Sequence, residues 1–519
     1  MEIAERDSTK QKDNWIVLLF TIIFILALVL RVIGLDRHEL WLDEAYSVLL
    51  ARGSLHELLS GLAKDAHPPL YYLILCLWMK LFGSGEFAIR FFSLILGLLL
   101  IVMLYRVGSS FFSPLVGLVA AFIATTNPMN IFYAQTARMY TILPLLGLLS
   151  ILFLLRALEE DKVSAWMGYS ISSIAALYTH NYGLFILPIG WFLFLRKANY
   201  PRFKRFFLSQ LAILFLYLPW FFVLLSQIQG GGHKWISRFM APISPLFWIP
   251  KSLEVFSVGA GFPYFFKYLG FGAITELKWL SRILFGTLLV LGLLDGGTQD
   301  DDLNKRYALI IYLFFPLVIA SLLSISITPL YLIGRYDFVV FPAFCLLIGL
   351  GVSKIKNYSL QILVAVILLG LSVSTLIPYY QVTPRKVAAV TADYLIHHAR
   401  AGEFVVFTGS RRASTQYYLE KMDGRLNLLS FPLEVASHLG TYDEEIYLEQ
   451  PEKLNHDADQ IIKTVGPSLS RGERLWVADS SFRAVNNYLN QKLKNFMFIP
   501  ELSQKKLKIF CFKLQQKKQ

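Results

Sequence analysis

Residues 16–33 read IVLLFTIIFILALVLRVI, the first of a series of apolar runs that decide what this chain can become. A helix needs roughly 20 predominantly apolar residues to cross about 30 Å of hydrocarbon. Similar runs lie at 87–105, 114–124 (with an extension toward Phe132), 141–155, 165–178, 182–195, 206–225, 283–294, 307–327, 338–352 and 360–377. About eleven transmembrane helices are therefore expected, and the fold class read from the chain is an α-helical polytopic membrane protein. The composition agrees: 55% of the 519 residues are hydrophobic and 16% charged, too apolar for a soluble chain of this length.

The formal net charge of +13 would suggest nucleic acid in a soluble protein. Here the basic residues collect in loops between apolar runs, where cytoplasmic segments and lipid head groups favour them. The partner implied is the bilayer, and no nucleic acid is expected. Cys76, Cys345 and Cys511 are far apart and show neither metal-ligand spacing nor a disulfide framework. The polar start MEIAERDSTKQKDNW is followed by an apolar run without a small-residue cleavage site. That run reads as a retained first span, with residues 1–14 as a cytoplasmic tail.

Loop charge sets the orientation. "RKANYPRFKR" at 196–205 holds five Lys or Arg and no acid, so it belongs inside. Counting from it, "RVGSS", "RALEEDK", "DDDLNKR" and "KIK" also fall inside. The loops 34–86, 127–140, 179–181, 226–282 and 328–337 fall outside. So does the chain from about 378 onward. Residues 15–380 form the expected membrane domain, with the external loop 34–86. Residues 381–519 have mixed charge and a different pattern: "RKVAAVTADYLIHHAR" (helix), "EFVVFTG" (strand), "STQYYLEKM" (helix), "RLWVADSS" (strand), "FRAVNNYLNQKL" (helix) and "KLKIFCFKL". This alternation predicts a small extracytoplasmic α/β domain.

Within the first outer loop, apolar residues recur at helical spacing over 47–65, predicting one amphipathic helix along the membrane surface. The apolar stretch within 69–82 is short for a span. It reads as an interfacial or re-entrant helix, or as a tilted crossing.

Polar side chains gather on the outer face: Asp43, Glu44, His67, Glu86, Arg90, Tyr133, Gln135, Arg138, Tyr140, His180, Arg335, Tyr336 and Asp337. Ionisable groups at a membrane are costly and mark function. Several roles stay open on residue type alone. Asp43 and Glu44 suit either acid–base chemistry or the positive end of a helix starting near Ala45. Arg138 and Arg335 suit an anionic phosphate or snorkelling to head groups. Glu86 and Arg90 are spaced for an ion pair. His67 and His180 can bind substrate or fix a turn. Tyr133, Tyr140 and Tyr336 can line a sugar pocket or sit at the interface.

Five motifs in order, "LDEAYS", "HPPLYYLIL", "GEFAIRFFSLILG", "YAQTARMYTILPLL" and "GRYDFVVFPAF", resemble the family 39 glycosyltransferases of the GT-C group. That group holds protein O-mannosyltransferases and aminoarabinose transferases. The resemblance covers roughly residues 15–350, with Thr136 standing where many relatives carry Glu. It implies a polyprenyl-phosphate sugar donor and an acceptor hydroxyl on a lipid, glycan or protein. It also implies transfer with inversion, Asp43 as general base, and Glu44 orienting the acceptor or a neighbouring cation. No cofactor is required; a divalent cation shared by Asp43, Glu44 and His67 is the alternative. The protein is expected in the plasma (inner) membrane, with its active site and C-terminal domain outside. The loop 226–282 and the external domain are expected to help choose the acceptor. The competing class is a multi-pass transporter or flippase of a lipid-linked sugar. It calls for ionisable groups at the midplane and two related halves, and the sequence shows neither.

Overall fold

In the computed structural model the apolar runs fold into helices. The structure describes residues 2–65, 67–229, 236–237, 240–259, 275–294, 300–381, 386–437, 444–479 and 483–514. Backbone contacts divide the chain into two units: residues 1–35 with 66–383, and residues 36–65 with 384–519. Residues 36–65 of the first outer loop thus belong to the same unit as the C-terminal segment, and residues 66–86 to the helical one.

Each of the eleven expected runs coincides with a helix or a helix pair. Six described helices are both long and apolar enough to cross a membrane: Asn14–Val32, Glu86–Phe111, Ile142–Glu160, Asn199–Gln229, Leu303–Ser326 and Tyr358–Gln381. A seventh arises if the bent pair Pro114–Thr126 and Pro128–Ala134 is one span. Leu70–Phe82, Asn181–Leu193 and Asp337–Ser353 are shorter apolar helices.

The bend of 69° in that pair has a local cause. Pro128 cannot donate a backbone hydrogen bond, so the first helix stops at Thr126. Asn127 then caps the second, accepting from Asn130 N–H, and donates its amide to the Phe256 carbonyl at 2.9 Å. Arg31, fully buried, donates to the carbonyls of Ala124 at 2.9 Å and Thr125 at 3.2 Å. It satisfies acceptors that the stopped helix leaves open.

The loops assigned inside lie at one end of this unit. Arg205 pairs with Asp161 at 3.0 Å, Lys305 with Glu159 at 3.2 Å, and Arg196 donates to Asn304 at 2.8 Å. The helix Thr275–Leu293 packs on Phe341–Ser353 through Gly292 and Gly351. A Cβ on Gly351 would fall 1.9 Å from the Leu288 carbonyl oxygen. Close backbone approach of this kind joins helices where lipid leaves little hydrophobic drive between them.

The second unit carries a five-stranded sheet: β1 Phe404–Thr408, β2 Asn427–Phe431, β3 Leu475–Ala478, β4 Phe496–Phe498 and β5 Ile509–Leu514, in the order β2-β1-β3-β5-β4. β1 pairs in parallel with β2 and β3, whereas β5 runs antiparallel to β3 and β4. Strands β2 and β4 and the helix Pro451–Ser470 are additions to the expected pattern. Leu454, Ala458, Ile461 and Val465 line one face of that helix and pack with Val406, Val477 and Phe431.

The first outer loop forms two helices, Leu42–Arg52 and Leu55–Lys64, where one over 47–65 was expected. Ser54 and Glu57 explain the break. Ser54 Oγ accepts from Glu57 N–H at 3.2 Å, and the Glu57 carboxylate accepts from Ser54 N–H at 2.7 Å. This capping box starts a new helix and stops the old one at Gly53.

Candidate functional site

In the helical unit, four distant stretches of chain meet. His67 comes from the turn before Leu70–Phe82, and Tyr133, Arg138 and Tyr140 from the segment after the bend. His180 and Tyr182 follow Val163–Thr179, and Arg335 and Tyr336 lie in the turn before Phe341–Ser353. The rings of His67 and His180 are 5.1 Å apart, those of His180 and Tyr336 4.8 Å, and those of Tyr133 and Tyr140 4.7 Å. All five of these side chains are buried.

Two guanidinium groups border the rings. Arg335 donates through Nε to the Tyr140 hydroxyl at 2.5 Å, and its charge lies 5.3 Å from the Tyr140 ring centre. Arg138 donates to the Tyr72 hydroxyl at 3.0 Å. Both are buried. Planar, permanently charged groups held this way are preorganised to receive an anion such as a phosphate.

The turn bearing Arg335 is shaped by Asp337. Its Oδ2 accepts from Gly334 N–H at 3.0 Å and from the Ser252 hydroxyl, which also bonds Tyr331 OH at 2.7 Å. Gly334 sits at φ 71°, a conformation that favours glycine. Tyr133 donates to the Gly334 carbonyl. His180 accepts at Nδ1 from Tyr182 N–H at 3.1 Å, so the neutral ring carries its proton on Nε2.

Two expected site residues, Gln135 and Arg90, lie at the end of the first helix. The Gln135 amide donates to the carbonyls of Arg31 at 3.0 Å and Ile33 at 2.8 Å, and its oxygen accepts from Tyr379 OH at 2.7 Å. Arg90 is buried and donates to the Leu35 carbonyl at 3.0 Å. Glu86 opens the helix Glu86–Phe111, half-buried in its first turn.

Asp43 and Glu44 belong to the other unit. Both stand in the first turn of Leu42–Arg52, where the helix dipole favours negative charge. Asp43 is half-buried and Glu44 buried, 1% exposed. The Ser47 hydroxyl donates to the Asp43 carbonyl at 2.7 Å. Among the described residues, no three His, Cys, Asp or Glu side chains gather as a metal site requires.

Several participants escaped the sequence reading. Tyr72 and Tyr182 carry no mark of their role in the sequence, and Asp337, counted among the outer polar side chains, was given no role of its own. Ser252 belongs to the loop 226–282, whose residues 230–235, 238–239 and 260–274 lie outside the described residues. The same loop borders a groove of about 570 Å³ in the helical unit, lined by Phe247, Lys251, Glu254, Arg282, Phe285 and Leu289. Glu254 bridges Lys251 at 3.1 Å and Arg282 at 2.8 Å there.

Comparison with known proteins bears on this arrangement. Residues 66–225 match the family described as dolichyl-phosphate-mannose-protein mannosyltransferase. No curated protein sequence matches the chain. Among solved structures, ArnT from Cupriavidus metallidurans bound to undecaprenyl phosphate is similar with TM-score 0.57 at 15% identity, over 96% of this chain and 98% of that one. The Archaeoglobus fulgidus oligosaccharyltransferase in its apo form is similar with TM-score 0.56 at 12% identity, over 93% and 73%. The archaeal oligosaccharyltransferase AglB from Archaeoglobus fulgidus, in complex with an inhibitory peptide and a dolichol-phosphate, is similar with TM-score 0.56 at 12% identity, over 97% of this chain and 75% of that one. The chain shares its fold with these solved structures, and its C-terminal segment carries a five-stranded sheet with helices.

Proposed function

We propose that the protein transfers a sugar from a polyprenyl-phosphate donor to an acceptor hydroxyl at the outer membrane face, with inversion. The observation that carries the reading is the buried cluster of Arg138, Arg335, His67, His180, Tyr140 and Tyr336, built from four separate segments. Its support is the fold, shared with proteins solved with undecaprenyl phosphate and dolichol-phosphate.

In this scheme Asp43 accepts the acceptor's hydroxyl proton. The hydroxyl oxygen forms a bond to the anomeric carbon from the face opposite the phosphate. The bond between that carbon and the phosphate oxygen breaks, and the lipid phosphate leaves with the electron pair. Arg138 and Arg335 stabilise its growing charge. Glu44 orients the acceptor, and the histidines and tyrosines hold the sugar. Donor lipid enters from the bilayer, and the acceptor is a lipid, glycan or protein hydroxyl.

The test is a transfer assay in membranes with a panel of polyprenyl-phosphate sugars, comparing wild type with Asp43→Asn. Transfer from one donor class by wild type, with loss of at least 99% in the variant, is the expected result. Undiminished transfer by the variant rejects Asp43 as the base. Absence of transfer from every donor rejects the substrate class.

A further inference from the structure

The loop that bears Asp43 and Glu44 is built into the soluble domain. Glu39, four residues before Asp43, reaches the start of the helix Val387–His398. Its Oε1 accepts from Val387 N–H at 3.1 Å, and its Oε2 accepts from Ala388 N–H at 2.7 Å and Ala389 N–H at 3.1 Å. The residue at that helix's own cap position, Lys386, supplies no side-chain hydrogen bond. Glu39 therefore satisfies three amides that a helix start leaves open, and places negative charge on the positive end of its dipole.

The next residue continues the join. Leu40 N–H donates to the Tyr418 hydroxyl at 3.0 Å, and Tyr418 is buried in the helix Arg412–Lys421. At the far end of Leu42–Arg52, Arg52 pairs with Glu420 at 3.1 Å and lies 5.0 Å from the Tyr417 ring centre. Between these anchors Ala45, Tyr46, Val48 and Ala51 are buried. The acidic pair thus rides on a helix of 11 residues held before its first turn and again at its last.

We infer that the soluble domain is the mount for the acidic pair, and that Glu39 and Tyr418 are positioning residues for Asp43. The inference rests on the reading of Asp43 as the base. A base must lie within hydrogen-bond reach of its proton, and a misplacement of about 1 Å costs roughly a hundredfold in rate. Glu39 and Tyr418 fix the backbone immediately before Asp43. Losing either one releases that backbone without altering the carboxylate. The soluble domain then acts on every reaction that uses Asp43, with water as the acceptor as well as with the natural one.

The experiment uses the full-length protein in membranes, with Glu39→Gln and Tyr418→Phe beside Asp43→Asn. Transfer and donor hydrolysis are measured for kcat and KM. Hydrogen exchange is followed over residues 40–52 and, as a folding control, over β1 and β3. Tyr418→Phe removes a single oxygen, and it keeps the test alive where Glu39→Gln accumulates poorly. The expected result is roughly a tenfold to hundredfold fall in kcat for both reactions, with donor KM unchanged. Exchange over 40–52 should quicken while β1 and β3 keep wild-type protection. Glu39→Asp, which keeps the charge, should recover part of the loss. Wild-type kcat despite quickened exchange overturns the inference, as does unchanged exchange over 40–52, or a fall in transfer with hydrolysis intact. Full activity of Asp43→Asn overturns the base assignment instead.

Discussion

Arg335 donates its Nε–H to the Tyr140 hydroxyl at 2.5 Å across 195 residues of sequence. The bond fixes the direction of the guanidinium plane. A hydrogen bond to a charged group contributes about 1.5–3 kcal/mol. Tyr140→Phe should therefore lower kcat/KM for the lipid donor by roughly ten- to a hundredfold. Arg335→Lys keeps the charge but loses the planar fork, and should fall at least as far. Steady-state transfer kinetics with varied donor decide this. Wild-type kcat/KM in Arg335→Lys would refute guanidinium recognition of the leaving group.

Arg31 offers a test of the broken span. Its side chain bridges to the carbonyls of Ala124 and Thr125, which Pro128 and the bend leave without helical partners. Arg31→Leu removes a buried cation but takes the Arg31 donor from the Thr125 carbonyl and leaves the Ala124 carbonyl the Asn130 amide at 2.7 Å. The uncompensated Thr125 acceptor dominates, at about 1–3 kcal/mol. The variant should melt several degrees lower in detergent. Arg31→Gln, which retains donors, should lie between it and wild type. A melting point at or above wild type in Arg31→Leu would show that relief of the buried charge prevails.

These two arginines mark where the sequence was legible and where it was not. Hydropathy is local, so each apolar run could be matched to a helix. Loop charge is nearly local, and the loops 156–162, 196–205 and 300–306 do meet at one end. Arg31 was passed over because it lies in an apolar run, and the carbonyls it serves are 93 and 94 residues away. Gln135 was read as a substrate contact, and nothing in "YAQTAR" reveals that the first helix ends beside it. The helix Pro451–Ser470 hid behind Asn, His, Asp and Gln, although Leu454, Ala458, Ile461 and Val465 keep helical spacing. Ser54 and Glu57 were a readable capping box that would have split the surface helix. The join between Leu40 and Tyr418 spans 378 residues and has no local signature.

Gly351 tests the helix packing. A Cβ there meets the Leu288 carbonyl oxygen at 1.9 Å, and one on Gly292 meets the Leu347 carbonyl oxygen at 2.1 Å. Backbone cannot yield as a flexible side chain does, so the helices must part. Gly351→Val should cost at least the 1–3 kcal/mol or so typical of overpacking. A Cβ on Gly370, in Tyr358–Gln381, would meet nothing within 4 Å, so Gly370→Val controls for losing a glycine. Yield of monodisperse protein on size-exclusion chromatography should fall for Gly351→Val and hold for Gly370→Val. Equal yields would contradict the close approach.

Glu403 ties the five-stranded sheet to pH. It is 1% exposed at the start of β1. Its carboxylate accepts from Arg474 Nε at 2.7 Å, Trp476 Nε1 at 2.8 Å and Arg400 N–H at 3.0 Å. Burial pushes the carboxyl pKa up, but Arg474, Trp476 and the Arg400 amide pull it down further, to a net value below the ordinary one. A depressed folded-state pKa means that the unfolded chain binds the proton more readily. The stabilisation is therefore complete above the ordinary carboxyl value of about 4.3, and it disappears as pH falls through the lower, folded value. Glu403→Gln removes this linkage. The gap in melting temperature between wild type and Glu403→Gln, measured on the full-length protein in detergent, should be constant from pH 8 to about pH 6 and narrow steadily toward pH 3. A gap that stays constant down to pH 3, or widens in acid, would be incompatible with a carboxylate held below its usual range.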